Sequence, residues 1–270
     1  MDSIAKLYTY LNTENSQATY YKLTEFVLHN VKRLPELPIA QFAEESFVSK
    51  ATITRFVHFL GFDNYLEFKK YFSRLNSTSK LSFLKLDTSE VTQIQDSPTD
   101  FLQHYSQQII ESIKDTFQTM NLTEVDTLIQ AVNSAEKVAF LGYSDSNIIA
   151  KDIQLGCLTI GKMIEVVESD KKFLNIMERF NSEDLIVILS NYGNFFNQYR
   201  SFYDTLLIKK IPLVLVTQNY SSMDSFRFQQ TIYLTSKRHL NIGNYPMRLF
   251  SEYFVRRMMF NQDKILKNLL

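Results

Sequence analysis

The chain has 270 residues, a single cysteine, 29 basic against 29 acidic side chains and a formal net charge of zero. At roughly 100–200 residues per domain that length suits two cores, and one cysteine excludes an internal disulfide or a thiolate-rich metal site. No run of about 18 apolar residues is present to span a bilayer, and the opening Met1-Asp2-Ser3-Ile4-Ala5-Lys6 lacks the basic and apolar segments of a secretory signal. A soluble, cytoplasmic chain with no membrane partner is expected.

From residue 16 to 74 apolar residues recur every three or four positions, as in Leu23, Phe26, Val27 and later Phe42, Ile53, Phe56, Val57, Leu60. This spacing predicts an all-α domain over residues 1–76. Pro35 and Pro38 break the pattern after Val31, because proline removes a helical donor and disfavours helix in the residue before it. A new helix is expected near Ile39.

Residues 39–60 have the layout of two short helices crossing steeply. Ala43 is small where the backbones approach, Phe42, Val48, Ile53 and Phe56 supply packing, and Ser49 is suited to cap a second helix beginning at Lys50. On that helix Lys50, Ala51, Thr54 and Arg55 point away from the packed stripe, with Ser49 and Thr52 at its N-terminal end. A helix-turn-helix places this end in the major groove of DNA. Arg55 suits guanine O6 and N7, Ala51 and the Thr54 methyl suit thymine methyls, and Lys50 suits a base or a phosphate. Free N–H groups of the first turn suit a phosphate. Residues 1–80 hold ten Lys and Arg against eight Asp and Glu, so the signal lies in placement and not in bulk charge. The alternative is a small helical bundle whose Lys, Thr and Arg face water.

Beyond Arg74 the periodicity fades, and residues 77–98 are expected to form an aperiodic linker. Residues 99–270 then alternate helical segments with short aliphatic runs at 137–141, 163–167, 185–189, 212–217 and 231–234. Helices are expected at 101–120, 122–133 and 246–260. Strands apolar on both faces and separated by helices predict an α/β, doubly wound, five-stranded parallel sheet. In such sheets ligands sit at the carboxyl ends of strands, near a switch in strand order. Two loops qualify: Gly142-Tyr143-Ser144-Asp145-Ser146 and Ser190-Asn191-Tyr192-Gly193-Asn194.

Between residues 21 and 75 the chain resembles the RpiR family of bacterial regulators. The resemblance rests on Ile39, Phe42, Ala43, then Val48, Ser49, Ala51, Thr52, Ile53, Arg55, Phe56, then Leu60, Gly61, Phe62, Tyr65, Glu67, Phe68 and Lys69. Phe47 departs from it, standing where the family usually has a turn glycine. A positive φ is costly for so bulky a side chain, so a reshaped or strained turn is expected there.

The resemblance implies a regulator of carbohydrate metabolism that binds a palindromic operator in double-stranded DNA as a homodimer or tetramer. It also implies a C-terminal SIS domain, which in that family binds a sugar phosphate through G-x-G-x-S and S-x-S-G-x-T/S loops. Gly142, Ser146, Ser190 and Gly193 match those loops, while Ser144 replaces a glycine, Tyr192 a serine and Phe195 a hydroxyl residue. Ser144, Asn191 and Asn194 complete the candidate ligand set. Each lost hydroxyl removes a hydrogen bond to a charged acceptor worth about 1.5–3 kcal/mol, so a dimer that has lost ligand sensing remains an alternative.

Phe195, Phe196 and Tyr199 form either an aromatic lid or helix packing, with packing the reading we favour. A sugar-phosphate isomerase would need a general base near the substrate carbon. His104, His239, Glu165, Glu168, Glu178, Glu183 and Glu252 are the candidates, and no flanking motif singles one out. No enzymatic activity, cofactor or metal is expected.

Overall fold

In the first half of the chain the three- and four-residue spacing resolves into α1 (Ser3–Thr13), α2 (Thr19–His29), α3 (Ile39–Glu45), α4 (Lys50–Phe59) and α5 (Tyr65–Ser77). The computed structural model describes residues 3–77, 88–143, 145–167, 170–191, 193, 195, 203–218, 228–239 and 241–262. It divides into two compact units, Met1–Val91 and Thr92–Leu270.

The core of the first unit is aromatic. Phe42 stacks against Phe26 and Phe68, with ring centroids 4.8 and 6.4 Å away, and Ile53, Phe56 and Val57 bring one face of α4 fully inside. Helix α2 ends before Val31, because the Asn30 side-chain amide donates to the Phe26 carbonyl at 2.8 Å and diverts the last turn. Tyr65 donates its hydroxyl to the Leu37 carbonyl at 2.9 Å, tying α5 to the turn before α3. Burial pushes that phenol up to about 12.

The expected linker at 77–98 differs from the structure. Residues 78–87 lie outside the described set, but α6 (Thr88–Asp96) is a helix and α7 (Pro98–Thr119) starts at the proline read as a loop marker. Proline is well placed in a helical first turn, where its missing N–H would have no partner anyway. The polar run 88–96 reads as loop by composition, yet Val91 and Ile94 are spaced for one helical face and no proline interrupts them.

The second unit continues with α8 (Leu122–Ser134), β1 (Val138–Gly142), α9 (Asp145–Leu158), β2 (Glu165–Val166), α10 (Asp170–Arg179), β3 (Leu185–Ser190), β4 (Leu213–Thr217), β5 (Gln230–Tyr233) and α11 (Tyr245–Gln262). The strands form one parallel sheet in the order β2-β1-β3-β4-β5. Alternate side chains feed two cores. Val138, Phe140, Val187, Leu189, Val214 and Val216 pack with α8, α9 and α11, while Ala139, Leu141, Ile186, Ile188 and Leu215 pack with α10 and the helical residues 203–208. Both faces are covered, which explains why the strands read as continuous apolar runs. The chain steps from β1 outward to β2, then crosses back to β3 on the other side. The switch in strand order therefore lies between β1 and β3.

Asp115 of α7 holds the segment after β5. It accepts the Ser236 N–H at 3.1 Å, His239 Nε2 at 2.7 Å and the Thr119 hydroxyl at 3.0 Å. Burial pushes its carboxyl up, but the hydrogen bonds from His239, Ser236 and Thr119 together outweigh that and bring it down to about 2. Ionised Asp115 therefore adds stability above its ordinary value of 3.8, and the contribution disappears as pH falls towards 2. Asp115→Asn should lower thermal stability at pH 7 by about 1.5–3 kcal/mol and flatten the acid limb of melts recorded from pH 5 downwards. An unchanged acid limb would show that the loss at low pH comes from other carboxylates.

Candidate functional site

The corner between α3 and α4 is built from two helix ends that satisfy their backbone groups within four residues. Helix α3 closes through Val48 N–H to Ala43 C=O at 2.9 Å and Phe47 N–H to Glu44 C=O at 3.1 Å, a loop that requires a left-handed residue at position 47. Phe47 adopts it, with φ 54. The expected strain is present and the turn is not reshaped; a left-handed L-residue costs roughly 1–2 kcal/mol.

Helix α4 then starts at Lys50, as its sequence predicts, because Ser49 is extended (φ −76, ψ 155) and its hydroxyl accepts the Thr52 N–H at 3.1 Å. The Thr52 hydroxyl lies 2.9 Å from Ser49 Oγ and 3.5 Å from Arg55 Nη2. Ser49, Thr52 and Arg55 thus form a polar rail along one face, with Arg55 held loosely at its end. Thr54 donates its hydroxyl to the Lys50 carbonyl at 3.1 Å, which leaves its methyl as the group for an apolar contact. Ser49, Lys50, Ala51 and Arg55 are exposed, Thr52 and Thr54 half-buried. Behind the corner Arg33 forms a forked pair with Glu45, one arm at 2.7 Å. The hydrogen bonds from Arg33 hold the Glu45 carboxyl below its usual range.

In the second unit the two candidate loops leave adjacent strands on either side of the switch point. Gly142 pairs with Leu189, and Ser190 pairs with Thr217. Gly142 has no room for a side chain: a Cβ there would lie 2.5 Å from the Ser146 carbonyl carbon and 2.7 Å from the Asn147 nitrogen. The strand end is pressed against the first turn of α9, where Asn147 donates its amide to the Val167 carbonyl at 2.6 Å. Ser146 is buried, and Asp145 puts a carboxylate into the same first turn. Ser144, Tyr192, Asn194, Phe196 and Tyr199 lie outside the described residues. Gly193 has φ 76, a conformation that glycine supplies without cost. Phe195 is 1% exposed and belongs to the core under α10, which favours packing over a lid for that ring.

The ends of β3 and β4 carry a buried polar cluster. Thr217 donates its hydroxyl to the Ser190 carbonyl at 2.7 Å, Gln218 donates its amide to Asn191 Oδ1 at 2.8 Å, and Thr235 donates to the Gln218 carbonyl at 3.1 Å. Ser190 Oγ and Gln218 Oε1 are buried and have no hydrogen-bond partner among the described residues. Buried polar atoms left this way are costly. They are the atoms in this cluster with capacity left for a ligand. Sequence reasoning placed Ser190 and Asn191 here but missed Thr217, Gln218 and Thr235. The available signal was position: each stands at or just past the carboxyl end of an apolar run.

Residues 5–79 match the helix-turn-helix domain of the rpiR family. The first unit is an RpiR-family helix-turn-helix domain. The match takes in α1, which precedes the segment where the sequence resemblance was first visible. The chain is also similar to an uncharacterised helix-turn-helix-type transcriptional regulator of Clostridium perfringens, 28% identical over 176 residues that cover 63% of this chain and 60% of that relative. By structure it is similar to NanR of Vibrio vulnificus complexed with ManNAc-6P, across 99% of this chain and 94% of that one, at 16% identity and a TM-score of 0.53. It is similar to the sugar isomerase domain of an RpiR transcription factor from Sphaerobacter thermophilus across 62% of this chain and 93% of that one, at 11% identity and a TM-score of 0.53. At these identities the likeness is one of fold: the second unit shares its parallel α/β architecture with that sugar isomerase domain.

Within the RpiR-family domain the Ser49 cap is open to direct test. Ser49→Ala should cost the first unit about 1 kcal/mol, whereas Ser49→Asp should keep the cap and its stability, since a carboxylate also suits a helix N-terminus. Thermal melts of both variants check this, and equal losses for the two would show that the hydroxyl does not cap.

Proposed function

We propose that this protein is a cytoplasmic transcriptional regulator that reads double-stranded DNA with the N-terminal end of α4 and answers to a phosphorylated sugar held in its SIS-like unit. The observation that carries the reading is the corner itself: an exposed, Ser49-capped first turn bearing Lys50, Ala51 and Arg55, within a domain of the RpiR family. The cap orients Thr52, and Arg55, held only loosely by Thr52 at 3.5 Å, is left able to turn towards base edges. Free N–H groups and the positive helix end receive a phosphate, while Arg55 and Lys50 supply charge and base contacts. A single helix-turn-helix module covers only about 600–1,000 Å² of protein surface on DNA. Two copies on a palindrome, joined through their second units as a homodimer or a pair of dimers, would supply the missing specificity.

For the effector, support comes from the cluster at the ends of β3 and β4 and from the fold neighbour bound to ManNAc-6P. Asp145 already occupies the first turn of α9 with negative charge, so the phosphate is proposed at the β3 end, on Ser190, Asn191 and Gly193, with Gln218 Oε1 left to accept from a sugar hydroxyl. Gly142 and Ser146 shape the wall. Two observations favour a second reading, a DNA-bound dimer without an effector: Asp145 at one loop and the buried Phe195 at the other.

A catalytic role has less support. Glu165 is paired with Lys172 and Arg179, Glu252 with Arg256, and His239 with Asp115. Burial raises the Glu165 carboxyl, but the hydrogen bonds from Arg179 and Lys172 leave it below its usual range, away from the neutral value that suits a general base. Glu168 lies outside the described residues.

Selection from a random duplex pool with the full chain, followed by footprinting, tests DNA reading. Arg55→Ala should lose at least tenfold in affinity for the selected site, the worth of one good base contact at about 1–3 kcal/mol, with its melting temperature nearly unchanged. A large fall in stability would make Arg55 structural instead.

Titration of the full chain with a panel of sugar phosphates tests sensing. Ser190→Ala should weaken binding about tenfold through one charged hydrogen bond and leave DNA affinity without effector unchanged. Heat from no member of the panel would favour the effector-free reading.

A further inference from the structure

Several helix ends in this chain close with the same pair of backbone bonds, and comparing them isolates one residue. After α4, Phe62 N–H donates to Val57 C=O at 3.2 Å and Gly61 N–H to His58 C=O at 2.9 Å, with Gly61 at φ 95. After the helical residues 203–208, Ile211 donates to Leu206 at 3.4 Å and Lys210 to Leu207 at 3.1 Å, with Lys210 at φ 55. After α3 the left-handed position is Phe47. Glycine there has no steric cost, and lysine at least carries a hydrated charge. Phe47 combines backbone strain with a ring that is 96% exposed, the most exposed of the large apolar side chains described. It is absent from the packed core of the first unit, so the ring adds nothing to that core.

Residue 47 lies two Cα steps, no more than about 7.6 Å, from the Ser49 cap. The backbone that carries the exposed ring is therefore adjacent to the exposed turn that carries Lys50, Ala51 and Arg55. Strain retained at an exposed residue points to a task for that residue. We propose that Phe47 contacts operator DNA, its ring packing on a thymine C5-methyl at the major-groove edge beside the base pairs met by α4, and so sets sequence preference at a position that the helix itself does not read. Aromatic contact with that methyl is a recognised mode of direct readout. The inference rests on the DNA-reading role proposed above.

The experiment uses the full chain and a duplex selected by the wild-type protein. Phe47→Gly is expected to raise the thermal midpoint of the first unit and yet bind that duplex about tenfold more weakly. Deoxyuridine scanning removes one thymine methyl at a time. A single position should cost the wild type about fourfold, the worth of one buried methyl, and cost Phe47→Gly nothing.

Equal affinity of the wild type and Phe47→Gly, or a deoxyuridine penalty identical in both, overturns the inference and leaves the DNA-reading role standing. Selection of no sequence by the wild type overturns the role itself. Loss of self-association in Phe47→Gly, measured by light scattering without DNA, assigns the ring to an interface between copies and also overturns the inference.

Discussion

The bond from Val48 N–H to Ala43 C=O decides how the first unit presents itself. It closes α3 in two residues, forces position 47 into the left-handed region and delivers the chain to Ser49 in the extended conformation that a cap requires. Any other closure would change the direction in which α4 leaves and separate the polar rail from the packed stripe. The hydrophobic residues cannot fix this direction alone, because burial is indifferent to angle. Ile53, Phe56 and Val57 determine which face of α4 turns inward, and the backbone bonds at the corner determine where its N-terminus points.

The same demand for partners at chain ends organises the second unit. A parallel sheet leaves polar groups at the carboxyl end of each strand, and here side chains answer most of them: Thr217 reaches the Ser190 carbonyl, Gln218 reaches Asn191, and Thr235 reaches the Gln218 carbonyl. The cluster is braced from strand to strand, so its remaining capacity at Ser190 and Gln218 is held in fixed positions. At the same carboxyl end of the sheet Asp115 binds the chain just past β5 to α7, before that chain returns to the start of α9, where the Asn244 amide donates to the Asp145 carbonyl.

Much of this architecture was legible in the sequence for identifiable reasons. The helical spacing from Leu23 to Phe56 and the two-sided apolar runs of the sheet are consequences of burial, which composition records directly. Ser49 was legible because capping depends on a short side chain at one position. The linker was misread because Thr88–Asp96 and Pro98 have loop-like composition, although helix tolerates both a polar surface and a proline in its first turn.

For Gln218 and Thr235 the sequence offers only their position just past an apolar run. Gln218 matters because its amide meets Asn191, 27 residues away, and Thr235 because its hydroxyl meets the Gln218 carbonyl, 17 residues away, a proximity created only by the strand order. The Phe47 turn was anticipated as strained, but its near-complete exposure required the fold.

Gly142 carries a consequence for how such a cleft can diversify. With Ser146 and Asn147 backbone atoms within 2.7 Å of any added Cβ, the end of β1 is closed to every side chain, and the wall it forms is common ground for whatever the cleft receives. Chemical variety must enter from the opposite bank, at Asn191 and Gln218, where two side chains meet each other. A lineage could exchange one effector for another there by paired substitution, without disturbing the sheet beneath.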